Sequence, residues 1–88
     1  MTMTQIVIYT TNSCPYCMMA KNLLNKKGAK FQEIDVSYDS QERQRMTLRA
    51  GGMRSVPQIF VGTTHVGGCD ELHALDAKGG LDPLLAVS

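Results

Sequence analysis

The chain has no tryptophan, only two phenylalanines and three tyrosines, and just three cysteines in 88 residues. Three cysteines cannot close a disulfide framework, which excludes the stapled architecture of small secreted domains. A large charge of either sign is missing too: nine Lys and Arg against eight Asp and Glu leave a formal net charge of +1. No basic stretch is interleaved with aromatic residues, so the electrostatic footprint of a nucleic-acid binder is absent. No apolar run approaches the roughly 18 residues that a membrane span requires. Met1-Thr2-Met3-Thr4-Gln5 lacks the basic residues that open a secretory leader. The expectation is a cytoplasmic chain without membrane or nucleic-acid partners. No repeat, linker or low-complexity tract divides it, so residues 1–88 read as one domain with a modest core. With no long apolar patch beyond that core, a monomer is expected.

What is present is concentrated at Cys14-Pro15-Tyr16-Cys17. The two thiols follow a short apolar run, Ile6-Val7-Ile8-Tyr9, at the point where a strand would give way to a helix. Thr11-Asn12-Ser13 is a turn with capping chemistry, and Pro15 suits the first helical position, where a missing N–H costs nothing. A thiol at the first turn of a helix faces unpaired N–H groups and the positive end of the dipole, which favour thiolate over thiol. The implied chemistry is thiol–disulfide exchange. Residues 14 and 17 lie about one helical turn apart, so their sulfurs can meet while the second is the less accessible.

The remaining pattern is β-α-β-α-β-β-α. A first strand at residues 5–10 leads to a helix from about Pro15 to Lys27, with Met18, Met19, Ala20, Leu23 and Leu24 as its apolar stripe and Gly28 as its stop. Phe31, Ile34 and Val36 mark a second strand, parallel to the first through a right-handed crossover. Ser40 caps a second helix that carries Met46 and Leu48 inward and ends at Gly51-Gly52. Residues 58–61 and His65-Val66 form a hairpin across Gly62-Thr63-Thr64. Asp70-Glu71 begins a third helix that stops at Gly79-Gly80, and Asp82-Pro83 opens a last short turn. The result is an α/β fold with a four-stranded mixed sheet flanked by helices and the first strand inside the sheet. Tyr9 reads as core. His65 and His73 share no ligand spacing and no metal site is expected.

Three motifs in this order resemble the dithiol glutaredoxins, on the thioredoxin-like fold, over nearly the whole chain: Cys14-Pro15-Tyr16-Cys17, Ser55-Val56-Pro57, and Gly67-Gly68-Cys69-Asp70. Leu81-Asp82-Pro83-Leu84-Leu85 is similar to the bacterial glutaredoxin tail. The resemblance implies a glutathione-dependent oxidoreductase that reduces protein disulfides and glutathione mixed disulfides, with Cys14 as nucleophile, Cys17 as resolving thiol, and glutathione as co-substrate rather than a permanently bound cofactor. It also implies a cis Pro57, preceded by Ser55 and Val56 whose backbone pairs with glutathione like an added strand. Gly68, Cys69 and Asp70 would take the γ-glutamyl end at a helix N-terminus. Cys69 contributes backbone while its sulfur packs as a small apolar group, and Tyr16 walls the groove.

One position departs from the resemblance. Many dithiol glutaredoxins carry a lysine three residues before the nucleophile, and this chain has Thr11. Arg54 and Gln44, at positions that match family contacts, are the candidates to meet the ligand's glycine carboxylate in its place. Two rival functions remain. A thioredoxin-like protein reduced by a flavoprotein lacks support from a Trp-Cys-Gly-Pro-Cys motif. A dimer holding an iron–sulfur cluster through Cys14 and glutathione is disfavoured by Pro15-Tyr16, where cluster-binding relatives resemble Cys-Gly-Phe-Ser.

Overall fold

The computed structural model describes residues 5–86. Its elements run β1 (Ile6–Thr10), α1 (Pro15–Lys26), β2 (Gln32–Asp35), α2 (Ser40–Arg49), β3 (Gln58–Val61), β4 (Thr64–Gly67), α3 (Cys69–Ala77) and α4 (Leu81–Ala86). The strands form one sheet in the order β2-β1-β3-β4. β1 is parallel to β2 and antiparallel to β3, and β3 is antiparallel to β4. The mixed sheet and the interior place of β1 follow the expectation.

Alternation along the central strands divides the core in two. Ile6, Ile8, Ile59 and Val61 point to one face, where Ala20 and Leu24 of α1, Cys69 and Leu72 of α3, and Leu81 of α4 cover them. Val7, Tyr9 and Phe60 point to the other, where Val36, Met46 and Ala50 meet them. Tyr9 is core, as expected, with its ring edge-on to Phe60. β2 is an edge strand with exposed Gln32, Glu33 and Asp35, which explains its weak apolar alternation. Phe31 packs on the first face, whereas Ile34 and Val36 serve the second.

Several details differ from the expectation. Met18 and Met19 are exposed, at 60% and 49%, because the buried side of α1 is Cys17, Ala20 and Leu24. Spacings of three and four residues keep that triplet on one stripe, whereas each step of one residue turns about 100° away from it. In α2 only Met46 is fully covered and Leu48 is 82% exposed, since two residues further round the helix points away from the sheet. The cap of α2 is Asp39 rather than Ser40: its Oδ1 accepts the Glu42 N–H at 3.0 Å. α3 begins one residue before Asp70, with Gly68 as its cap. The hairpin loop is the two residues Gly62-Thr63, with Val61 paired to Thr64 and Gly62 at φ 59°. The last turn is the helix α4, with Pro83 in its first turn. Among the described residues no helix is long and apolar enough to cross a membrane.

Candidate active site

The site begins where β1 ends. Thr10 is buried and donates to Glu33 on β2 at 2.8 Å, and Lys21 of α1 pairs with the same carboxylate at 3.0 Å. Burial works against the Glu33 carboxylate, but the hydrogen bonds from Thr10 and Lys21 outweigh it and hold the group below its ordinary range. The turn that follows is held by Ser37, whose hydroxyl accepts the Asn12 N–H at 2.6 Å. Ser13 then adopts φ 59°, a left-handed conformation uncommon outside glycine, directly before the nucleophile position. This bend sets Cys14 at the N-cap of α1.

Cys14 uses its sulfur as the capping group. It accepts the Cys17 N–H at 3.2 Å, in the place a serine or aspartate oxygen would take. Its chain continues through Pro15 at the first helical position, as the sequence indicates. Cys14 is partly exposed, whereas Cys17 is 1% exposed on the stripe it shares with Ala20 and Leu24. Burial first, then a hydrogen bond with Cys14 and the charge there, push the Cys17 thiol from 9.0 up to about 12, against a smaller pull from the Thr11 backbone. The two sulfurs are therefore chemically unequal: one can react at the surface while the other stays a thiol beneath it.

Two segments face Cys14. The first is the loop ending in the cis Val56–Pro57 bond, whose Val56 carbonyl oxygen lies 4.0 Å from the Cys14 sulfur. Gln58, fully buried at the start of β3, fixes this loop: its amide donates to the Ser55 carbonyl at 3.0 Å while its oxygen meets His65 at 2.7 Å. The second is the N-terminus of α3. Gly67 has φ 115°, and a Cβ on Gly68 would stand 3.1 Å from Glu71 Oε1 and 3.3 Å from the Pro57 carbonyl oxygen. Glycine at 68 thus permits the helix start and the proline loop to approach each other. Glu71 reaches back to accept the Gly68 N–H at 2.7 Å, closing one free helical donor.

Between these segments lies a groove of about 270 Å³ lined by Tyr16, Met53, Ser55, Val56, Pro57, Gly68, Cys69, Asp70 and Glu71. Tyr16, Ser55, Val56, Pro57, Gly68, Cys69 and Asp70, drawn from all three motifs, therefore converge here, and Tyr16, 58% exposed, forms part of the wall. Gln44 and Arg54 do not line it. They face one another's groove instead, a larger neighbouring concavity shared with Ser40, Arg43, Thr47 and Leu48. Burial, with the charges of Asp70, Cys14 and Glu71, raises the Cys69 thiol, consistent with a packing role for that sulfur. His65 stacks on Phe60 and His73 bonds to the Cys69 carbonyl, and no cluster of three or more metal-ligating side chains occurs among the described residues.

Three contributors escaped the sequence reading. Glu71 was legible in principle, because an acid three residues after a helix cap is the second half of a capping box. Met53 lines the groove from a loop whose path no local pattern gives, and Gln58 sits in an apolar strand where only tertiary contact with Ser55 and His65 shows its use.

The glutaredoxin family model matches residues 6–66. Glutaredoxin 3 of Escherichia coli strain K12 is 52% identical over 83 residues, covering 94% of this chain and 99% of that protein. Among solved structures, the glutaredoxin of Brucella melitensis superposes with a TM-score of 0.83 at 52% identity over 94% of this chain and 89% of its own. A buckwheat glutaredoxin in complex with glutathione gives a TM-score of 0.83 at 32% identity, covering 93% and 76%. With a partly exposed and a buried thiol at the start of α1, the cis-proline loop and the glycine-bounded helix start meeting in the groove beside them, and a family model and relatives that match most of its length, the chain belongs to the glutaredoxin family.

Proposed function

We propose that this thiol–disulfide oxidoreductase works through Cys14 as nucleophile and Cys17 as resolving thiol, with glutathione bound in the groove between Pro57 and α3. The single observation that carries the assignment is the inequality of the two sulfurs, one capping a helix at a partly exposed position and one only 1% exposed beneath it. The Cys14 thiolate attacks one sulfur of a substrate disulfide, forms a mixed disulfide, and releases the other sulfur as a thiolate. When the substrate is a glutathione mixed disulfide, the group retained on Cys14 is glutathione. A second glutathione thiolate then attacks, leaving as oxidised glutathione and restoring Cys14. With a protein disulfide, Cys17 loses its proton and attacks the mixed disulfide instead, yielding the Cys14–Cys17 disulfide that two glutathiones reduce. Once Cys14 is in a disulfide its charge is gone, so two of the three influences that raise Cys17 fall away and only burial remains.

The lining of that groove and of its neighbour supports the following ligand contacts. A γ-glutamyl-cysteinyl backbone extended beside Val56 would bring its sulfur to Cys14, which already stands 4.0 Å from the Val56 oxygen. Because Glu71 occupies the Gly68 N–H, the amides of Cys69 and Asp70 are the donors left for the ligand's α-carboxylate, and the exposed Asp70 carboxylate is placed for its ammonium. Gln44 and Arg54 serve the glycine carboxylate, replacing the cation that Thr11 does not supply. On this reading the partners are glutathione and glutathionylated or disulfide-bearing proteins.

The test is glutathione-dependent reduction of a small glutathione mixed disulfide, followed through glutathione reductase and NADPH, for wild type, Cys14→Ser and Cys17→Ser. Activity lost with Cys14 and retained without Cys17 is expected. Asp70→Ala should raise KM for the mixed disulfide, and an unchanged KM would leave Asp70 no part in binding. Absence of wild-type activity would reject the reading as a whole.

A further inference from the structure

We propose that His65 is a positioning residue for the proline loop beside Cys14, acting through the buried amide of Gln58; this rests on the proposed function and names a residue outside the groove on which that function depends. Gln58 is fully buried in β3, where its strand neighbours Ile59, Phe60 and Val61 are all apolar. An amide in such a place costs free energy unless its polar atoms are paired, so an apolar side chain would serve the core at least as well. Its partners show what the amide does instead. Nε2 donates to the Ser55 carbonyl at 3.0 Å and to the Ser55 hydroxyl at 3.3 Å, so one NH2 group grips Ser55 at two points. Ser55 lines the Cys14 groove, and the carbonyl oxygen of the next residue, Val56, stands 4.0 Å from the Cys14 sulfur.

The amide can hold Ser55 in only one orientation. A carbonyl only accepts, so turning the amide over would set two oxygens against each other. The Gln58 oxygen is thereby left to His65, whose Nε2 lies 2.7 Å away. That oxygen also only accepts, so Nε2 carries the proton, which fixes the tautomer of the neutral ring. Strand alternation brings the groups together: Phe60 pairs with His65 across the hairpin, and Gln58 shares the face of Phe60 two residues away. The His65 ring is braced there by stacking on Phe60, with centroids 4.8 Å apart. His65 lines a different concavity, with Thr64, Val66 and Leu84 among others, and does not line the groove beside Cys14. Its influence on that groove runs through the amide. Without an N–H at this point Gln58 loses the partner that sets its orientation, the grip on Ser55 loosens, and the wall at Val56 has to be ordered each time a ligand pairs with it.

Two substitutions separate the donor from the ring. His65→Phe keeps an aromatic ring over Phe60 and removes the N–H, whereas His65→Gln removes the ring and offers an amide N–H at a similar reach. With a small glutathione mixed disulfide, His65→Phe is expected to raise KM about 5-fold with kcat unchanged, and His65→Gln to stay within about 2-fold of wild type in both. His65→Val, which also lacks the donor and suits a strand, should behave as His65→Phe does. Two readouts need no ligand. Backbone order parameters at Ser55 and Val56 in the free protein fall in His65→Phe and match wild type in His65→Gln. Long-range proton–nitrogen spectra of wild type show the neutral His65 ring protonated on Nε2. Equal impairment of His65→Gln and His65→Phe, a KM unchanged in both, or a proton on Nδ1 would each overturn the proposal. Failure of wild type on the mixed disulfide would instead overturn the underlying function, while the order parameters and the tautomer still decide the positioning.

Discussion

The two faces of the sheet are built differently. On one, three helices close over Ile6, Ile8, Ile59 and Val61 and leave a continuous apolar core. On the other, a single helix supplies only Met46 and the adjacent Ala50 to cover Val7, Tyr9 and Phe60, and the cover is finished by polar groups. The guanidinium of Arg49 lies 4.1 Å from the Phe60 ring centroid and His65 stacks on the same ring at 4.8 Å. The thick face holds the chemistry, since Cys17, Cys69 and the N-termini of α1 and α3 all sit on its helices. The thin face carries the exposed Arg43, Leu48 and Arg54 groove.

Truncating each face should expose the difference most strongly. Leu24→Ala, at a position enclosed by α1, α3 and α4, is expected to lose stability near the upper end of the 2–5 kcal/mol typical of such changes, whereas Met46→Ala should fall near the lower end because a one-helix layer can settle into the gap. Guanidinium-induced unfolding of both variants decides it; equal losses would mean the faces pack alike. Gly68→Ala comes next. Its Cβ would press on Glu71 and the Pro57 carbonyl, so α3 must withdraw from the proline loop, at a cost of about 1–3 kcal/mol and with a higher KM for glutathione mixed disulfides. A KM unchanged by that substitution would separate the helix start from the binding groove.

On the thin face, Arg49→Ala should cost about 1 kcal/mol through lost contact with Phe60, measured by thermal unfolding. The smallest effect concerns the edge next to the thick face. Because Glu33 has its carboxyl pKa lowered in the fold, the stability it contributes is present above its unfolded value near 4.5 and is lost as pH falls through the folded value. The carboxylate is 38% exposed, so solvent screening keeps this under about 1 kcal/mol. Glu33→Gln should therefore match wild type below pH ~3 and be slightly less stable at pH 7. A constant difference across that range would remove the Thr10–Glu33–Lys21 contacts from the account.

The same contrast explains what the sequence made legible. Element order, the interior place of β1 and the strand-to-helix turn at Cys14 were readable, because glycine, proline and strand periodicity act locally, whereas the capping chemistry expected of Thr11-Asn12-Ser13 is supplied by the Cys14 sulfur itself. The helical faces were less so. Two methionines beside Cys17 are as apolar as a core stripe, and only the packing of Ala20 and Leu24 against the sheet shows that they point outward. Leu48 misled for the same reason, since α2, lying over the thin face, buries only Met46 along its ten residues. Gln44 and Arg54 were named from the family resemblance as candidates for one carboxylate, and that they share a groove apart from the one beside Cys14 depends on how loop and helix dock.

The central claim is that two thiols one helical turn apart are kept unequal by burial. Alkylation of the fully reduced wild-type protein with iodoacetamide, resolved by mass spectrometry of its peptides between pH 7 and 9, tests it directly. The account predicts rapid modification of Cys14, with Cys17, raised to about 12, and the buried Cys69 slower by about 100-fold or more throughout that range. Modification of Cys17 at a rate comparable to Cys14 in the folded protein would contradict it.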